Sequence, residues 1–446
     1  NWTNAENWVD GVLPTVSTLA NIGTANYRIR TAVVTQPGAV CVRLHLARVA
    51  NTTGELEILD GDLTAGSQQS DWGHSGGKAL VTMRGGSLTV GNLMSGECIV
   101  TQVAGVVTLS GIFGNVSGYH SRYVLKGGEL FAPATIANGG MATIEQSDGT
   151  NTLSGTTYLA KGTGGGTPSY ATCHYTLSGG VLNLAGGTAV FGGGGSGQFG
   201  SGTLHLGGGN VASLNGSSLT VRNQAGAYGR IRGWGRLDGL GTLTMNGQTI
   251  ADGAGADRSL IFTFNTLANG IANGAEGTNG WFAVGGGRLE LPAIAVNASG
   301  AKVWGDTAAA ALDLVNAVAF DFSGVTGSGT LTGALCAPGR ADAPRRVSTS
   351  KIIGLWHFVC DGFSSSATSV TVRYDQAASA ALSIEEEGLR LYIHSGQPDG
   401  KWLPLASTVD TLNRKLIATG LTASSFYLAA GSDVSSAFKG TTLIVR

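Results

Sequence analysis

Charge is what this chain has least of. Asp, Glu, Lys and Arg make up 12% of 446 residues and leave a net charge of −1, against a usual charged share of about 25%. No cluster of Lys and Arg is read on an aromatic-rich segment, so a nucleic-acid partner is not expected. Proline (9) is too scarce for a Pro/Gly linker chain. No uninterrupted apolar run reaches the roughly 18–20 residues of a membrane span; the most apolar stretch, 308–322, is broken by Asp313 and Asp321. Capped segments with a 3.6-residue period are nearly absent, and the best helix candidate is the short Thr307–Val318.

Metal and redox signatures are missing as well. The five cysteines (Cys41, Cys98, Cys173, Cys336, Cys360) include no C-x-x-C pair, which argues against a zinc ribbon or a thioredoxin-like motif. Cys336 and Cys360 lie close in sequence and form the candidate disulfide in an oxidising compartment; the alternative is a set of buried free thiols. The seven histidines show neither H-x-x-x-H nor H-E-x-x-H spacing, so a zinc enzyme is not indicated.

Glycine is what the chain has in excess: 73 of 446 residues, against a usual share of about 7%. There is no Gly-X-Y period, which excludes collagen. Hydrophobic residues reach 42%, enough for a core. The glycines recur in one setting: a Gly pair, a variable residue, then an apolar residue that begins an alternating run. Gly85-Gly86-Ser87-Leu88, Gly127-Gly128-Glu129-Leu130, Gly179-Gly180-Val181-Leu182 and Gly286-Gly287-Arg288-Leu289 show it. From Leu63 through Leu88, Leu130, Leu182 and Val211 to Leu289 the steps are about 25, 42, 52, 29 and 78, near multiples of the 20–28 residues of a solenoid coil. Glycine at sharp corners and inward Val, Leu and Ile on stacked strands explain both features. The fold expected is all-β: a right-handed parallel β-helix followed by a small C-terminal Ig-like β-sandwich. Composition shifts near residue 340, where Pro and charge cluster. The expected domains are 1–19 as an N-terminal cap segment, 20–335 as the β-helix, 336–349 as a linker and 350–446 as the sandwich.

Three segments carry a resemblance. Asn1-Trp2-Thr3-Asn4-Ala5-Glu6-Asn7-Trp8 with Gly11-Val12-Leu13-Pro14 resembles the opening of secreted bacterial Gly-rich β-helix proteins. These are autotransporter-passenger-like chains and the exported proteins of planctomycetes and verrucomicrobia. The Gly-Gly-x-Leu units resemble their repeats. Val372-Arg373-Tyr374-Asp375, Leu389-Arg390-Leu391-Tyr392 and Gly400-Lys401-Trp402 look like the β-sandwich that ends such chains. The resemblance implies a bacterial, secreted or cell-surface, structural role. A start at Asn1 rather than Met fits either a removed signal peptide or a trimmed sequence, and the composition of an exported protein favours the first.

Candidate chemistry is thin. Asp60, Asp62 and Asp71 are the densest carboxylates, and Asp238, Asp252 and Asp257 are scattered; all read as solvated turn residues, and Glu385-Glu386-Glu387 as a charged loop. No catalytic, cofactor or metal residue is assigned and no enzyme is expected. Calcium, shared between Asp60 and Asp62, is the one cofactor the spacing permits. Cys173 and His174 adjoin, but neighbours on a strand point to opposite faces. Trp72, Trp234, Trp281 and Trp304 read as core plugs or coil caps rather than sugar-stacking platforms. The function expected is a self-assembling subunit of an extracellular filament, sheath or surface layer. Its partners are copies of itself, with cell-surface polysaccharide as a further partner. The candidate assembly strand is Thr441, Thr442, Leu443, Ile444 and Val445. The alternative is a glycan-binding adhesin or a carbohydrate-active β-helix protein.

Overall fold

The structure, a computed structural model, describes residues 1–26, 29–115, 117–132, 134–162, 171–193, 200–214, 216–224, 227–269, 279–344, 351–396, 400–421 and 425–432. It is built of strands, as the alternating runs predict, and divides into two compact units. One is residues 1–231 with 236–247; the other is 232–235 with 248–446.

The first unit is a parallel β-helix with three sheets. The chain visits them in fixed order: Leu19–Ile22 in the first, Ile29–Val34 in the second, Ala39–Cys41 in the third, then Arg43–Leu46, Thr53–Ile58 and Asp62–Ala65 one coil on. Each strand pairs parallel with its counterpart in the next coil. The second sheet continues through Lys78–Met83, Cys98–Gln102, His120–Leu125, Met141–Gln146 and Ala171–Leu177. Leu63 to Leu88 is one coil, Leu88 to Leu130 is two by way of Val107, and Leu130 to Leu182 is two by way of Asn151. The first three steps seen in the sequence are therefore whole numbers of coils. The coils themselves vary from 19 residues (Leu88 to Val107) to 31 (Asn151 to Leu182).

The Gly pair marks the corner between the second and third sheets. That corner holds three residues in coil after coil: Leu59–Gly61, Arg84–Gly86, Val103–Gly105, Lys126–Gly128, Ser147–Gly149 and Ser178–Gly180. The last residue is always Gly, so six glycines stack in a column. Gly105 has φ +82°, and a Cβ there would sit 2.6 Å from the Gly86 carbonyl oxygen of the preceding coil. That oxygen accepts the Val106 N–H (3.0 Å), and the Gly105 oxygen accepts the Glu129 N–H (2.9 Å). Backbone stacking this close leaves no room for a side chain. By contrast, the chain from the first to the second sheet runs from two residues (Gly96, Glu97) to eleven (160–170).

Inside the coils, apolar columns are interrupted by a recurring polar set. Gln102 donates to the Gly105 and Glu129 carbonyls (both 2.9 Å), and the Tyr123 hydroxyl donates to Gln102 Oε1 (2.5 Å). Gln146 repeats this with Gly149, Val181 and Tyr175 two coils later. A glutamine is tolerated in the core because both ends of its amide find partners there, two backbone carbonyls and a tyrosine hydroxyl.

In the second unit parallel pairing ends early. Gln248–Ala251 pairs parallel with Gly280–Ala283, and Leu260–Ala268 with Arg288–Glu290. From there every described ladder is antiparallel. Thr326–Cys336 pairs with Arg288–Glu290, Ile294–Val296 and Ile352–Ser364, and the sheet runs on through Phe426–Gly431, Arg390–His394 and Leu403–Pro404. A second antiparallel sheet orders Gly300–Trp304, Val318–Ser323, Ala367–Arg373, Lys415–Leu421 and Ser407–Asp410. The two pack face to face: Phe320 meets Phe358 at 4.8 Å and Phe426 at 6.3 Å, and Phe322 meets Phe363 at 5.4 Å.

The β-sandwich thus takes in strands from residue 288 onward, where coils were expected to 335. Alternation with a period of two marks a half-buried strand but not its direction, so Gly329-Thr330-Leu331-Thr332 read as a coil. The helix expected over Thr307–Val318 is instead a tied loop. Asp306 accepts the N–H groups of Thr307, Asp313 and Leu314 (2.7, 2.6 and 2.8 Å), and Leu312 and Asn316 sit at φ 44° and 64°, values no α-helix contains. The one described α-helix is Gln376–Ala381, capped by Asp375.

Candidate functional site

Two places gather ionisable side chains beneath the surface. In the first unit, Asn21, His45 and Asp71 occupy one column of the first sheet, on three successive coils. His45 Nδ1 lies 3.1 Å from Asn21 Oδ1, and His45 Nε2 lies 3.6 Å from Asp71 Oδ2. The side chains of His45 and Asp71 are only 3% and 4% exposed. Asp71 also takes the Arg48 guanidinium at 3.1 Å and the Gln69 amide at 2.8 Å. Burial holds the His45 imidazole below its ordinary value, with Asp71 pulling upward and Arg48 and Arg43 adding to the depression. Asp71 is thus not the solvated turn residue expected from its neighbours in sequence. Asp60 is exposed, and Asp62 accepts the Ser87 hydroxyl at 2.7 Å. Among the described residues no three His, Cys, Asp or Glu side chains are grouped to hold a metal ion.

In the second unit, the sandwich sheet carries Arg288, Glu290, Cys336, His357 and Tyr427 on neighbouring strands. Arg288 pairs with Glu290 at 2.7 Å and points a nitrogen at Cys336 Sγ, 3.8 Å away. His357 stacks on Tyr427 with ring centroids 4.2 Å apart. Burial, with Arg288 adding to it, lowers the His357 imidazole. Burial pushes the Cys336 thiol up to about 11 despite Arg288, which leaves on the order of one thiolate in 10⁴ at neutral pH, too few for a nucleophile. Cys41 and Cys173 are raised to about 12 by burial alone. Cys173 is buried and His174 exposed, as strand alternation requires.

The Cys336–Cys360 disulfide does not fit this sheet. Cys360 stands opposite Leu331, five residues along the strand from Cys336, or about 17 Å at 3.4 Å per residue; a bridge needs Cα atoms within about 7 Å. None of the five cysteines is in a disulfide. Alkylating the unfolded, unreduced chain should therefore modify five thiols, read as intact mass; a product two labels short would restore the bridge.

Within the expected linker, residues 336–344 are also more than a connection. The Arg340 side chain, 1% exposed, reaches three backbone carbonyls, those of Gly286 (2.7 Å), Ala256 (2.6 Å) and Arg258 (3.3 Å), and the Asp342 carboxylate (2.6 Å). Trp72, Trp281 and Trp304 are buried, while Trp234 carries Arg258 over its ring at 4.7 Å. Glu386 accepts from Tyr374 and Gln376 rather than facing water alone. The alternating run Tyr228-Gly229-Arg230-Ile231-Arg232 sets arginines beside an aromatic residue, and its Arg232 pairs with Asp252. Residues 441–445, the expected assembly strand, lie outside the described residues. No described helix is long and apolar enough to cross a membrane. The aligned column of Asn21, His45 and Asp71 could have been found from its spacing, which matches the coil length once coils are recognised. No family model, curated protein or solved structure matches the chain.

Proposed function

We propose that the chain is a structural subunit, exported to the cell exterior, that assembles with copies of itself through the edge of its first coil. The observation that supports this is one-sided pairing. Among the described residues, Leu19–Ile22, Ile29–Val34 and Ala39–Cys41 each pair with a strand along one edge. The Trp2 N–H reaches the Val33 carbonyl from the other side (2.8 Å). Strand edges of this kind template further strands. The low charge of the chain weakens the repulsion that would keep copies apart. The glycan-binding alternative has less behind it, since Trp72, Trp281 and Trp304 offer no free ring.

The Val33 carbonyl is turned away from the second coil, toward the Trp2 N–H, and the Val34 carbonyl faces Leu59 N; alternate residues of a strand share a direction, so Thr31 is also turned away from the second coil. Light scattering and electron microscopy of the purified chain should show regular polymers. Thr31→Pro should leave a folded monomer. A chain that stays monomeric at all concentrations overturns the proposal. If deleting residues 438–446 abolishes polymers while Thr31→Pro does not, the contact lies with the terminal strand and the first-coil edge is wrong.

A further inference from the structure

We propose that Asn1–Trp8 is an exchangeable plug, which in the assembled state seats on the first coil of a neighbouring copy instead of its own; this rests on the first-coil edge being the assembly surface and names its occupant. The segment is a compact piece held by its own bonds. Ala5–Asn7 form a 3₁₀ turn capped by Asn4, the Asn7 amide donates to the Asn1 carbonyl (2.8 Å), and Trp8 Nε1 donates to the Trp2 carbonyl (2.9 Å). The two tryptophan rings meet edge to face at 5.0 Å. Among the described residues its hydrogen bonds to the coil are two, the Trp2 N–H to the Val33 carbonyl (2.8 Å) and the Asn1 amide to the Thr35 hydroxyl (3.1 Å). Trp2 is nonetheless only 3% exposed, so the plug fills a seat.

The tether that follows is built to reach. Residues 9–19 are exposed, apart from the half-buried Pro14. Val9, Val12, Leu13 and Val16 stand 83, 64, 38 and 70% exposed, an apolar run that marks a contact surface. Its backbone bonds are local: Gly11 N–H to Trp8 (2.9 Å) and Thr18 N–H to Thr15 (3.0 Å). Gly11 turns at φ +65° with nothing within 4 Å of the Cβ position. At about 3.3–3.6 Å per residue, the chain from Trp8 to Leu19 extends to roughly 36–40 Å. A neighbour's seat is the same seat, so exchange keeps every contact of the plug and alters only the tether. Crossing to the neighbour carries the tether's valines over Leu19 and Ile29 of that copy, themselves 37 and 67% exposed at the same edge. Asp10 is the only charge in 9–19, so charge does not oppose the contact. Exchange passed on from copy to copy does not close, and it links copies in series.

Asn1→Cys combined with Thr35→Cys reads the exchange directly, because those side chains touch in the seat (3.1 Å) and a disulfide forms only between close neighbours. Light and isotopically heavy chains carrying both substitutions are mixed as dilute monomers, concentrated and oxidised, and peptides joined at positions 1 and 35 are identified by mass. Light–heavy pairs should be as frequent as like pairs. Like pairs alone would overturn the exchange, and polymers in that same sample would leave the first-coil edge standing as the assembly surface. A chain that never assembles would overturn both. Val12→Asp gives a second reading, since a side chain 64% exposed can be changed without unfolding the chain. A carboxylate in the covered junction should raise the concentration needed for assembly about tenfold. An unchanged threshold, read by light scattering, would overturn the exchange.

Discussion

Gly105→Ala should cost the first unit far more stability than Gly118→Ala, although both glycines have φ +82°. An alanine forced into the left-handed region costs about 1–2 kcal/mol, and both variants carry that penalty. They differ in what the new methyl meets. Around Gly118 there is nothing within 4 Å, whereas at Gly105 the Gly86 carbonyl oxygen is 2.6 Å away and the Gly85 carbonyl carbon 2.9 Å. Those atoms are backbone in a stacked coil and cannot step aside without breaking the Val106 and Glu129 hydrogen bonds on either side of the corner. Overpacking of this kind adds about 1–3 kcal/mol, for a total of about 2–5 kcal/mol, or roughly 10 °C in midpoint at about 2–4 °C per kcal/mol. Thermal unfolding of the two variants side by side isolates the contact from the dihedral. Equal midpoints would mean that the glycine column is a matter of backbone angle and not of close stacking.

Arg340→Met should be comparably severe in the second unit. Methionine keeps much of the stem's packing but removes a guanidinium that serves three carbonyls and a carboxylate. Deleting one member of a buried charged network typically costs about 3–5 kcal/mol, and each buried carbonyl left without a donor adds to it. Arg340→Lys should recover only part of this, since an ammonium lacks the planar fork that spans the carbonyls. Two of those carbonyls, of Ala256 and Arg258, sit in an exposed loop. Tryptic cleavage after Arg258 should therefore accelerate in Arg340→Met at temperatures where the unit remains folded. Cleavage at the native rate, with the native denaturation midpoint, would show that the clamp is idle.

Most of the β-helix could be read before the structure because its two signals are local. Glycine at a corner and alternation along a strand are fixed by conformational sterics within a few residues. Leu63, Leu88, Leu130 and Leu182 are in the same column for that reason. Strand direction is not local: Thr326–Cys336 alternates like a coil strand yet runs antiparallel to Ile352–Ser364. Nor is burial of charge. Asp71 and Arg340 sit in polar, turn-like sequence, and only the tertiary partners that surround them, Arg48 and Gln69 in one case and three carbonyls in the other, show that they are interior. Thr307–Val318 departs in the opposite sense, because its Ala- and Leu-rich run carries a helical propensity that three backbone contacts to Asp306 override.

The unequal corners of the coil have an engineering consequence. Because the glycine corner holds three residues from the second coil onward, register between coils is set there and survives whatever happens at the corner between the first and second sheets, where natural lengths already run from two residues to eleven. Foreign peptides grafted at that second corner would be displayed as rungs on a ruler, with a graduation of about 4.8 Å per coil.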